Sequence, residues 1–230
     1  MRCELYVPAI VMSVATTMVL VAPAARADSP LTSTPFASAY QDVEIVRYTA
    51  ESGLDDRVLA ALGDPEIPND VRAAIVNQIG WSNEPQANAQ RYLEYLASQQ
   101  ELESSAMTLE MLAPEETMAL GYLLAMDRRF SVTDAIGGSG EVEQTNALEL
   151  LDLAVAEAPE DFSVMLIRAL IQSQHEFRLG PQNWCAVYQV VNSAIEDFPG
   201  QFSMRPEAIE EIMDYISLYR DECVSASPMP

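Results

Sequence analysis

A single histidine, His175, is the only imidazole the chain can offer to acid–base, nucleophilic or metal chemistry. It sits in QSQHEFRLG beside Glu176, near the expected end of a helix. A Ser-His-Asp or Cys-His system would have to use it. Sequence neighbours on a helix point apart, however, so Glu176 does not orient it. The position suits a helix C-terminus, where a cationic ring meets the negative end of the macrodipole. Carboxylates are plentiful enough to supply a general acid and base, but none is marked out. Glu115-Glu116 and Glu210-Glu211 read as solvated helix faces, and the first pair also suits a helix N-terminus. Arg128-Arg129 reads as a complement to the end of the helix before it. Tyr92 shares a stripe with Leu93 and Leu96 and reads as core, whereas Tyr95 lies off that stripe as a candidate contact residue. Trp81 and Trp184 are the other aromatics to place. No catalytic, cofactor-binding or metal-binding residue is assigned.

Three cysteines remain: Cys3, Cys185 and Cys223. Cys3 belongs to MRCELYVPAIVMSVATTMVLVAPAARADSP, which has the layout of a secretory signal peptide. Arg2 lies in a short polar start, residues 5–22 carry no charge, and small Ala25 and Ala27 flank Arg26. Cleavage is expected after Ala27, leaving an exported chain, periplasmic or extracellular. The alternative is a retained membrane anchor, since the apolar run is just long enough to span; Ser13, Thr16 and Thr17 dilute it. The remaining pair, Cys185 and Cys223, reads as one disulfide in an exported protein. Two free buried thiols are the alternative. With one histidine in the chain, the pair does not make a zinc site.

Charge narrows the partners. Losing residues 1–27 removes Arg2, Arg26 and Glu4, which leaves 10 of the 12 basic residues against 34 of the 35 acidic ones, a net −24. Every basic residue is Arg. Such a surface repels phosphate backbones and anionic headgroups, so nucleic acid and membrane surfaces are excluded as expected partners, leaving the signal peptide as the one membrane segment. A basic protein fits the charge.

The rest of the chain must be helical to bury its apolar residues. Residues 28–38 read as a flexible lead-in and 225–230 as a disordered tail, bounding one domain over 39–224. Turn signals recur at Gly53, Gly63-Asp64-Pro65, Gly80, Asn83-Glu84-Pro85, Pro114, Gly137-Gly138, Pro159, Gly180-Pro181, Pro199-Gly200 and Pro206. Apolar residues between them follow helical spacing: Ala147, Leu150, Leu151, Ala154 in one stretch; Trp184, Val187, Tyr188, Val191, Ala194, Ile195 in another; Ile209, Ile212, Met213, Ile216, Tyr219 in a third, which Cys223 continues. Segments 116–126 and 162–171 are apolar nearly all round, as inner helices are. Only 131–146, with three of the nine glycines, reads as a long mobile loop.

Two phrases echo at an offset of 40 residues. AVAEAPEDFSV and AIEDFPGQFSM pair Ala154 with Ala194, Pro159 with Pro199, Phe162 with Phe202 and Ser163 with Ser203. Small alanines permit close helix approach, and proline stops the helix. Ala147, Leu151, Ala154 and Pro159 have a spacing that resembles the second helix of a tetratricopeptide repeat, with Leu120-Gly121 placed to supply the first. The second copy keeps only the end of the pattern, with Val187 where a small residue belongs, and 40 departs from the family's period of 34 residues. The array therefore resembles a divergent or Sel1-like form over 116–220. Residues 58–81 are similar to one HEAT unit, in which Asp64-Pro65 ends a helix and Val71-Arg72, then Ala73, Ala74 and Ile75, open the next. Asp64 and Arg72 would pair across that turn. Both resemblances imply an all-α fold of antiparallel helix pairs stacked as an α-solenoid; an irregular helical bundle is the alternative.

The function so implied is an exported scaffold that binds another protein through an extended surface. Two alternatives stay open: an inhibitor or immunity-type protein neutralising a basic partner, and an envelope hydrolase using carboxylates.

Overall fold

Residues 117–126 carry no charge, and the helix they form is buried all along that stretch. This helix, α5 (Pro114–Asp127), is the middle of the fold in the computed structural model, which describes residues 29–80 and 86–225. The expected signal peptide with Ala25 and Ala27, Trp81, Asn83-Glu84-Pro85 and the tail from 226 lie outside the described residues. The protein is all-α: among the described residues there are eleven α-helices and no strand. Before it come α1 (Glu44–Ser52), α2 (Asp56–Gly63), α3 (Asn69–Ile79) and α4 (Asn88–Gln99), of which the last three pack on α5. After it come α6 (Glu141–Gln144), α7 (Ala147–Glu157), α8 (Phe162–Arg178), α9 (Trp184–Glu196), α10 (Pro206–Ile216) and α11 (Glu222–Ser225).

Helix starts follow local chemistry. Asn146 accepts from the backbone N–H of Leu148 and Glu149, and Glu149 returns a carboxylate to the Asn146 N–H, closing a capping box ahead of α7. Asp161 does the same work at α8, accepting from Ser163 N at 2.8 Å. Helix α5 opens on Pro114, with Glu116 accepting from Ala113 N at 2.9 Å.

Neighbours in the chain then pack as neighbours in space: α5 on α7, α7 on α8, α8 on α9. The α5–α7 junction forms at Gly121. A Cβ there would lie 2.9 Å from Leu151 Cγ and 3.3 Å from the Ala147 carbonyl, so only glycine lets the two helices come this close. Leu150, Leu151, Ala147 and Ala154 are fully buried opposite it.

Four expectations are corrected. Residues 29–38 are not a loose lead-in: Leu31, Phe36 and Ala37 are core residues, and Phe36–Tyr40 forms a 3-10 turn packed on α3 and α10. Asn77 secures it, accepting from Ala37 N and donating to the Thr34 carbonyl. The 131–146 segment is organised, because Val132, Ile136 and Val142 are apolar anchors and Glu143 binds the loop backbone. Arg72 does not pair with the Asp64 carboxylate. Its buried guanidinium donates to the carbonyls of Leu62 and Asp64, capping the end of α2, while the Asp64 carboxylate accepts from Glu66 N. The last helix is broken: α10 stops at Ile216, and a 3-10 turn, Ser217–Tyr219, precedes α11.

Candidate functional site

The echoed phrases touch each other. Phe162 and Phe202 stack with ring centres 4.1 Å apart and planes 17° apart, and the Ser163 and Ser203 hydroxyls lie 2.7 Å apart. Asp161 ties them together, accepting from Ser203 Oγ at 3.0 Å and, through its other oxygen, from Asn69 Nδ2 at 2.8 Å. Pro159 and Pro199 follow the ends of α7 and α9 as helix stops. The depression beside this contact, about 490 Å³, is lined by Glu157, Glu160, Asp161 and Ser203. Its central carboxylate, Asp161, is already engaged in holding the fold.

Cys185 and Cys223 form a disulfide, with Cα atoms 4.6 Å apart, joining the first turn of α9 to α11. Trp184 stacks on Phe177 beside it, at 6.2 Å between ring centres, and Tyr219 meets both edge-on. His175 is half-buried in the last turn of α8, as expected. Of the arginine doublet, Arg128 donates to the Ile136 carbonyl, pinning the loop after α5, and Arg129 is buried with its guanidinium over the Phe130 ring. Tyr92 is core; Tyr95 is half-buried and stacked on it.

At one place the edge of the core opens to the surface. Helices α7, α8 and α9 enclose an open groove of about 620 Å³. Val155 from α7, Met165 from α8, and Val190 and Ala194 from α9 line it as partly exposed apolar side chains, with Ala169 at the base. The charged lining residues are Asp152, Arg168 and Asp197. Arg168 Nε lies 2.7 Å from Asp152 Oδ1 across the α7–α8 side. Asp197, on the α9 side, is exposed and forms no ion pair among the described residues.

The groove also corrects one expectation. The spacing of Trp184, Val187, Tyr188, Val191, Ala194 and Ile195 predicts one buried face, with Ala194 the counterpart of Ala154. Only Val187 and Val191 of that stripe are fully buried; Ala154 is sealed in the helix junction, whereas Ala194 lines the groove. The signal was present in the sequence. Val190, Ala194 and Asp197 recur at i, i+4 and i+7, a second stripe rotated from the first by about one residue, or 100°.

Electrostatics single out no acid–base pair here. Burial pushes the carboxyl groups of Glu116 and Asp127 above their ordinary value; Glu116 lies in the first turn of α5 and Asp127 is its last residue, accepting from Ala89 N at the start of α4, and both are away from the groove lining. No group of three His, Cys, Asp or Glu residues among the described residues is placed to hold a metal ion. No family model, curated protein or solved structure matches the chain.

Proposed function

We propose that the protein is an exported, acidic helical-repeat scaffold that binds another protein through the α7–α8–α9 groove, in the periplasm or outside the cell. The observation that carries this reading is the groove itself. It keeps apolar side chains half in water along three helices, and burying them against a partner is worth about 25 cal/mol for each Å² removed from water. The start of the sequence and the disulfide support export, because disulfides persist in oxidising compartments. The Gly121 junction and the meeting of the echoed phrases support a tetratricopeptide-like stack as its architecture.

A photo-crosslinking residue at Val190, compared with one at exposed Glu66 in the turn between α2 and α3, tests this in the secreting cell. Discrete adducts from position 190 that vanish on Ala194→Arg are the expected result. The same adducts from both positions, or none from position 190, would overturn the scaffold reading.

A further inference from the structure

The chemistry of the groove says more about its occupant than that it is a protein. The walls are helices of 11 and 13 residues, α7 and α9. At 1.5 Å per residue they run for roughly 16–20 Å. Their own backbone groups are used within the helices, and no strand is present among the described residues to pair with an extended peptide. Recognition therefore rests on side chains, and the occupant must bring a row of apolar side chains with its own backbone satisfied. An amphipathic helix meets both conditions, with anchors at i, i+3 or i+4, and i+7.

Charge then decides which helix. Arg168 is the one cation in the groove lining, and it is already held by Asp152. An acidic partner would find no uncommitted positive group there. Asp197 is uncommitted and exposed at the other wall. The whole chain carries −23, so its field draws cations toward the groove and repels a second copy of itself.

We infer that the groove takes a basic amphipathic helix of the partner, about 11–13 residues long, whose apolar face lies on Val155, Met165 and Val190 and whose arginine or lysine pairs with Asp197. This deepens the scaffold reading and rests on it.

The test uses the full disulfide-bonded chain and three labelled synthetic helices of about 14 residues. One has leucines on one face and arginines on the other. The second replaces each arginine with glutamate. The third scrambles the first, so that charge is kept and amphipathicity lost. Fluorescence anisotropy near 0.15 M salt suppresses long-range attraction, since charges are screened beyond about 8 Å there. The basic helix is expected to bind at least about tenfold more tightly than either control. Asp197→Arg should weaken it about tenfold, and Val190→Arg should abolish binding, both with unchanged helical circular dichroism. Equal binding of the scrambled peptide, tighter binding of the acidic helix, or no binding of any would overturn the inference. If adducts still form specifically at position 190, the scaffold reading survives and only the occupant's chemistry is wrong.

Discussion

Helix α5 is buried over ten consecutive residues, Thr117 to Met126, beneath α2, α3, α4, α7 and α8, and Gly121 draws the α5 and α7 backbones together. Helix α9 meets α8 with only Val187 and Val191 fully buried. The connections differ in the opposite sense. A long loop joins α5 to α7 and is held by Glu143, whereas a short turn, Pro181–Asn183, joins α8 to α9, and a disulfide ties the first turn of α9 to α11. Both pairs pack closely, but α5 is enclosed on every side, whereas α9 keeps part of its apolar surface in water and is tied to α11 by the disulfide. The inner pair thus forms the centre of the fold, and the outer pair keeps part of its apolar surface at the edge.

The comparison breaks most easily at Leu151. Leu151→Ala removes a fully buried side chain at the Gly121 contact and should cost about 3–5 kcal/mol in urea unfolding. Val190→Ala on the partly exposed α9 face should cost less than about 1 kcal/mol. Similar costs at the two sites would show that the pairs are not built differently.

The disulfide comes next. Its closed loop spans a sequence separation of 38, for which the chain-entropy estimate is about 4 kcal/mol, with 2–4 typical. Replacing Cys185 and Cys223 with serine should lower stability by about 2–4 kcal/mol. Amide exchange should rise around Trp184 and α11 and change little in α5 and α7. Exchange that rises equally in both pairs would mean that the fastening is not local.

The smallest effect sharpens the loop side of the comparison. The Glu143 carboxylate accepts from Gly140 and Ser139 backbone N–H groups and from Ser104 Oγ. These bonds, the Gly140 N–H first, hold its carboxyl below the ordinary value of 4.5. A depressed value stabilises the folded state above pH 4.5, and that stability is lost as pH falls through the lower folded-state value. Glu143→Gln should cost about 1 kcal/mol at pH 7. It should also flatten the acid loss of stability below pH 4.5. An unchanged slope would assign the acid response to other carboxylates. Gly138 belongs to the same device: its φ is +142°, and a Cβ there would collide with the Glu143 carboxylate.

The helices, the Gly121 junction and the cysteine pairing were legible because each leaves a local trace: an apolar period, a missing side chain, an even count of thiols. The 40-residue echo was legible as helix punctuation, but not as a contact, since identity at an offset does not reveal that Phe162 and Phe202 stack. The rest was hidden for a common reason. Asn77, Arg72 and Glu143 act through hydrogen bonds to backbone, which leave no period in the sequence. Residues 29–38 looked loose because SPLTSTPFAS is rich in proline and small polar residues, yet Leu31 and Phe36 find their cover far away in the chain. The groove left no separate trace because Ala194 belongs both to the α9 stripe that packs on the core and to the row that lines the groove.

That distant cover bears on the order in which the molecule can be assembled. Leu31 N donates to Gln174 across 143 positions, and Arg205 binds Asp42 across 163 while covering the Tyr40 ring. A chain delivered from its N-terminus presents Phe36 and Tyr40 long before α10 exists to close over them. The junctions α5–α7, α7–α8 and α8–α9 use nearby segments and can form as they emerge. The clasp between the first turn and Arg205 closes only when nearly all of the chain has arrived, so until then Phe36 and Tyr40 have the cover of α3 without that of α10.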